Sequence, residues 1–215
     1  MTKARSESDL SNQFDSDMGW RIKEISDLRS VIERSDQMST RALLRALIPI
    51  LYAHWEGHVR FCAQKYFEFI CLRRYPFSAL EKQSYVNHFL VRLENFSVRR
   101  PNLKERAALL SQVLGSQDAR FSKIDPTLID TRSNLNSDVL QDICIVCAVD
   151  YSRFAEKADF LDRIILKRRN SIAHGEEVYI AREDLESLIA DVIGLMRLFR
   201  NLLENKIYEK TYLAA

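Results

Sequence analysis

Glycine and proline are scarce: five and four respectively in 215 residues, about a third of the ordinary combined fraction of about 12%. That scarcity argues against a β-rich fold dense in tight turns. Long apolar runs are missing too. The longest uncharged one, residues 46–53, is far below the roughly 20 residues of a membrane span, and the first twenty residues, MTKARSESDLSNQFDSDMGW, hold no apolar core of the kind a secretory signal needs. Four Cys form no dense framework and read as reduced thiols. Together these absences predict a cytoplasmic protein with no membrane association.

Charge of one sign is also lacking. Lys and Arg total 32 against 30 Asp and Glu, a net of +2, so bulk charge does not mark a nucleic-acid binder and any polyanion site must be local. Arg outnumbers Lys by 22 to 10, which suits bidentate phosphate contacts but equally follows from base composition. No two glycines lie within fifteen residues of each other, which removes P-loop and Rossmann readings. No GxSxG elbow offers a hydrolase nucleophile.

What is present is helical periodicity with 47% hydrophobic and 29% charged residues, a soluble globular composition. Trp20, Ile22, Ile25, Leu28, Val31 and Ile32 predict a first helix that starts between residues 8 and 20 and stops near Ser35-Asp36. Ser39-Thr40 reads as the cap of a second, core helix running toward Tyr75-Pro76, with Pro49 kinking it or opening its main segment. Further helices are expected over residues 77–96, over 101–114 with Pro101 in the first turn and Gly115 just past the end, and over 138–149, 154–174 and 184–210. Residues 115–137 read mostly as loop. The expectation is a single all-α helical domain over residues 1–215 with a loop-rich insertion near 115–137.

Two patterns imitate chemistry. His54-Trp55-Glu56-Gly57-His58 places two His on one helical face, but a zinc protease needs its Glu immediately after the first His and no third ligand follows. The pair reads as core or surface histidines. Cys144-Ile145-Val146-Cys147 is a lone CxxC inside an apolar helix and reads as buried small hydrophobes. No metal or other cofactor is expected.

One segment supports a chemical argument: LDRIILKRRNSIAHGE, residues 161–176. Leu161, Ile164, Ile165 and Ile172 form an apolar stripe, Lys167, Arg168 and Arg169 gather charge ahead of His174, and Gly175 suits a left-handed helix end. Asn170 and His174 share a face, whereas Arg169 and His174, five apart, diverge by about 140°. A two-fold dimer pairing this helix with its copy brings two Arg and two His into one cleft. RNA cleavage by the neighbouring 2′-hydroxyl needs a base, an acid and positive charge at the phosphorane, and imidazoles with guanidinium groups supply all three without a metal. The plain alternative is a solvated helix end with cations near the C-terminal dipole and His174 as a capping residue.

Arg169-Asn170-Ser171-Ile172-Ala173-His174-Gly175 resembles the defining motif of HEPN domains: an Arg, usually followed by a polar residue, then a His after four to six intervening positions, here four. LYAHWEGHVRFCAQKYF and SNLNSDVLQDICIVCAVD resemble the MAE-type prokaryotic branch. The resemblance implies an HEPN-like helical bundle forming a two-fold dimer through the motif helices. It also implies a metal-independent endoribonuclease of toxin or antiphage type that leaves a 2′,3′-cyclic phosphate. Arg169 and His174 would inherit the catalytic roles and Asn170 a supporting one. RNA as substrate, a homodimer and a neutralising antitoxin or defence-system partner are the implied partners. Glu176 stands where adenylylation-silenced HEPN toxins have Tyr, which tells against that control. Glu56 matches an acidic position of the branch and is expected to pair with an Arg of the motif helix or to make a structural salt bridge. The alternative function is a non-catalytic HEPN domain that binds RNA or a partner protein.

Overall fold

In a computed structural model, residues 3–99 and 101–214 are described, so the outer limits of the expected domain, residues 1 and 215, lie outside them. Helix α1, Glu7–Arg34, starts one residue ahead of the expected window. A capping box of Ser6 and Asp9 fixes the start before the apolar stripe begins. Its inner face carries Leu10, Phe14, Met18, Ile25 and Ile32.

Helix α2, Gln37–Arg73, is the axis of the molecule and packs on both α1 and the last helix. Asp36, not Ser39 or Thr40, is its cap: the carboxylate accepts the N–H groups of Met38 and Ser39 at 2.9 and 3.0 Å, while Thr40 turns its hydroxyl to the Asp36 carbonyl at 2.7 Å. A carboxylate wins the position because it accepts two donors at once beside the positive helix end. Pro49 lies inside the helix, which runs through it unbroken. The helix ends at Arg73, two residues early, because Arg74 turns left-handed with φ 52°.

A 3-10 turn, Phe77–Ala79, leads into α3, Lys82–Arg99. Helix α4, Leu103–Gly115, is capped by Asn102 in a second capping box, so Pro101 precedes the helix and Gly115 is its last residue. The stretch up to residue 137 is loop apart from the 3-10 turn Pro126–Ile129. Then come α5, Ser137–Cys147, and a single turn, α6, Ser152–Ala155.

The expected continuous helix over 154–174 is instead divided. After α6, residues Phe160–Lys167 are wound as π-helix, followed by α7, Arg168–Ala173. The wider turns keep Leu161, Ile165 and Leu166 buried. At the same time the Asp162 carboxylate accepts the N–H and hydroxyl of Ser137 at 2.7 and 2.6 Å, tying the segment to the start of α5. Packing thus overrides the α-helical hydrogen-bond pattern. After a short 3-10 turn, Arg182–Asp184, helix α8, Leu185–Tyr208, closes the bundle.

The fold is all-α, with no strand among the described residues, and its buried side chains form a single cluster centred on α2, including Trp55, Tyr66, Phe69 and Phe199. No helix among the described residues is long and apolar enough to cross a membrane. Near one end, buried Lys206 of α8 donates to the carbonyls of Cys147 and Ala148 at 3.0 and 2.8 Å and pairs with Glu81. Three distant segments are locked together there.

Candidate active site on the motif helix

From α7 onward the chain meets α2 in reverse order. Arg169 lies over the ring of Tyr52, with the guanidinium carbon 4.1 Å from the ring centre. Further along, Arg45 donates to the Glu176 carbonyl at 2.6 Å, and Arg41 pairs with Glu177. These contacts dock both the motif helix and the chain after it onto the first half of α2.

The Arg169 guanidinium is held on three sides. Besides the Tyr52 ring, Nη1 donates to Asn170 Oδ1 at 2.7 Å and Nη2 to the Ser133 carbonyl at 2.8 Å. Arg132 and Ser133 both take left-handed backbone conformations, φ 53° and 51°, and this turn brings the Ser133 carbonyl to the guanidinium. The loop of 115–137 therefore contributes directly to the setting of Arg169. A cation over an aromatic face adds about 0.5–2 kcal/mol, more as the pair is desolvated.

Tyr52 is itself fixed. Its hydroxyl accepts the Leu135 N–H at 2.7 Å. Burial first, and the neighbouring Glu56 carboxylate after it, push the phenol up to about 12, against the pull of the Leu135 N–H and of Arg169. It is a neutral platform at any physiological pH.

Glu56 departs from expectation. The buried carboxylate accepts the hydroxyl of fully buried Thr131, and it forms no ion pair with an Arg of the motif helix among the described residues. Arg169 takes the Tyr52 ring one turn earlier on α2 instead. Glu56 thus anchors the loop at Thr131, two residues before the carbonyl that holds Arg169.

His174 caps α7, its N–H bonded to the Asn170 carbonyl at 3.0 Å. Gly175 at φ 80° then lets its own N–H reach Ile172 and the Glu176 N–H reach Ser171, at 3.1 and 2.9 Å. This double closure is the Schellman end that the glycine suggested. The imidazole is exposed and has no hydrogen-bond or ion-pair partner among the described residues. Arg169 and Asn170 are therefore in side-chain contact, whereas Arg169 and His174, five residues apart, fall on different faces of a regular α-helix.

The two patterns set aside in the sequence are structural. His58 Nδ1 lies 2.6 Å from buried Asp17, which also binds Arg21 at 2.8 Å, while His54 Nε2 lies 2.9 Å from Glu24. The two imidazoles thus face different carboxylates of α1. Cys62, Cys71, Cys144 and Cys147 are all free thiols. Burial raises each of them, Cys71 to about 11 and Cys144 to about 12.

Tyr52, Thr131 and Ser133 escaped the sequence reading. Tyr52 carried a usable signal, since it lies four residues before Glu56 on the same face of α2. Ser133 acts through its carbonyl and carried none.

No curated protein and no solved structure matches the chain. A family model does: RiboL-PSP-HEPN, over residues 16–205. The match bears on the HEPN superfamily as a whole, which suggests an RNase or an RNA-binding module, while the MAE-type branch is a resemblance of sequence. The matched span takes in α2, the anchoring loop and the motif helix with Arg169, Asn170 and His174, and the chain belongs to the RiboL-PSP-HEPN family of the HEPN superfamily.

Proposed function

We propose that the protein is a metal-independent endoribonuclease that works as a homodimer, with the two motif helices meeting so that each contributes Arg169 and His174 to one cleft. The observation that carries this reading is the division of labour on α7. The guanidinium is held rigidly by Tyr52, Asn170 and Ser133, while the imidazole stands exposed at the helix end without an internal partner. A capping residue alone would not need a fixed cation five residues upstream.

In this mechanism His174 of one protomer takes the proton of the 2′-hydroxyl as that oxygen attacks phosphorus. The imidazolium of the other protonates the departing 5′-oxygen, and the Arg169 pair stabilises the phosphorane. Asn170 orients Arg169. The products are a 2′,3′-cyclic phosphate and a 5′-hydroxyl. Such an enzyme suits a cytoplasmic toxin or antiphage effector restrained by a neutralising partner, built as one domain with 115–137 as a loop insertion.

The test is cleavage of end-labelled RNA in excess EDTA by wild type, His174→Ala and Arg169→Ala, with product ends identified and mass measured by light scattering. Cleavage by wild-type dimer alone, with cyclic-phosphate ends, is expected, and losing either group should cost at least 100-fold. A wild type that binds RNA without cutting it supports the binding-module alternative. A stable monomer, or equal cutting by all three, overturns the composite site.

A further inference from the structure

Away from the motif helix, a cavity of about 260 Å³ opens between α3 and the segment that follows Phe121. Three basic groups line it. His88 and Arg92 lie four residues apart on one face of α3, and Lys123 arrives from the opposite wall. Behind them the wall is aromatic. The His88 ring sits 5.0 Å from that of Phe77, which packs at 5.5 Å on buried Phe121, so the imidazole is fixed in place.

The charges at this cavity are unbalanced. Among the described residues, Arg92 and Lys123 form no ion pair, and the His88 ring nitrogens have no hydrogen-bond partner. The nearby carboxylate is Asp125, and it is already committed to the Thr127 N–H and hydroxyl at 3.0 and 2.7 Å. Burial first, then the positive charge of Arg92 and Lys123, depresses His88 below the ordinary imidazole range. A concave surface carrying two unpaired cations and a titratable imidazole concentrates a positive field.

We propose that this cavity is a binding site for the phosphate group of a small phosphorylated ligand, with Arg92, Lys123 and His88 donating to its oxygens. The guanidinium matches two oxygens at once, Lys123 adds a point charge, and a ring N–H of His88 adds a third donor. The second ionisation of a phosphate monoester, near pH 6, makes it a dianion at neutral pH, and a dianion beside His88 favours the imidazole's proton against the opposing pull of burial, Arg92 and Lys123. The volume decides the ligand's size. At about 260 Å³ it lies just below the 300–1,000 Å³ of drug-sized pockets, which suits a phosphate with at most a sugar-sized body inside and excludes an enclosed oligonucleotide. The proposal is independent of ribonuclease activity.

The experiment follows the His88 ring proton by NMR in full-length His174→Ala protein, so that added RNA is not consumed. Inorganic phosphate, a nucleoside 5′-monophosphate and a short RNA oligomer are titrated in separate arms, with Arg92→Ala/Lys123→Ala as the comparison variant. Both substituted residues are exposed, and circular dichroism checks that the fold persists. The expected result is a saturable shift of the His88 signal with phosphate and with the monophosphate. Binding should weaken at least tenfold in the double variant, and adding ligand should raise the His88 titration midpoint in the protein that keeps both cations but not in the double variant, whose midpoint already starts higher without the two positive charges. Saturation by inorganic phosphate alone identifies the free ion as ligand, and tighter binding of the monophosphate identifies a phosphorylated metabolite. A non-saturating response, equal binding by the double variant, or preference for the RNA oligomer with a steep salt dependence overturns the proposal.

Discussion

Single residues set the chemistry through what holds them. Tyr52 gives Arg169 an aromatic face and gives Leu135 an acceptor. Tyr52→Phe keeps the face and leaves the buried Leu135 N–H unpartnered, which is expected to cost about 1–3 kcal/mol in urea unfolding. Tyr52→Leu removes the face as well, and RNA cleavage should fall further than with Phe at equal protein concentration. Asp17 shows a different dependence, on pH. Burial alone would raise its carboxyl, but hydrogen bonds from His58 and Arg21 reverse that and leave it below the ordinary 3.8. A depressed carboxyl contributes stability that is fully present above 3.8 and lost as pH falls through the lower native value. Unfolding free energy should therefore decline below about pH 4 in wild type. In Asp17→Asn that slope is expected to shrink, with about 3–5 kcal/mol already lost at neutral pH because Arg21 is left buried without its partner.

At the scale of elements, the helices were legible because apolar residues recur at helical spacing, and their ends were less so because neighbouring caps compete. Asp36 displaced Ser39 and Thr40, and Asn102 displaced Pro101, each by satisfying more backbone donors. Pro49 lies inside α2 and does not open its main segment, since the surrounding apolar packing outweighs one lost hydrogen bond. The π-wound segment was invisible: its bonding depends on where Asp162 and the buried Leu161 and Ile165 must go, which only tertiary contacts decide. In the site, Arg169, Asn170 and His174 could be picked out by spacing, whereas the groups that hold Arg169 come from α2 and from a loop carbonyl 36 residues away. The end of α7 offers a clean test. Gly175 has open space around its Cβ position but sits at φ 80°, so Gly175→Ala adds no clash and imposes only backbone strain. A loss of about 1–2 kcal/mol is expected on thermal unfolding.

Across the whole molecule, stability is uneven. Helix α2 is buried along most of its length against α1 and α8, whereas α4 buries none of its residues, and its Leu103, Leu110 and Leu114 are exposed. Segments with few buried contacts open at low free energy. Hydrogen exchange should thus run through α4 long before the central part of α2, and protection of α4 comparable to α2 would contradict the arrangement described.

The π-wound stretch before the motif has one more consequence. Each of its turns closes over five residues where an α-helix closes over four, so Phe160–Lys167 accommodates surplus chain without lengthening the rod that carries Arg168–Ala173. It is slack in an otherwise taut element. A chain one residue shorter there can tighten into ordinary α-helix and still deliver Arg169 to Tyr52. The same deletion between Arg169 and His174 has no slack to draw on and swings the imidazole by about 100°. Length variation among related chains is therefore expected to gather upstream of Arg168.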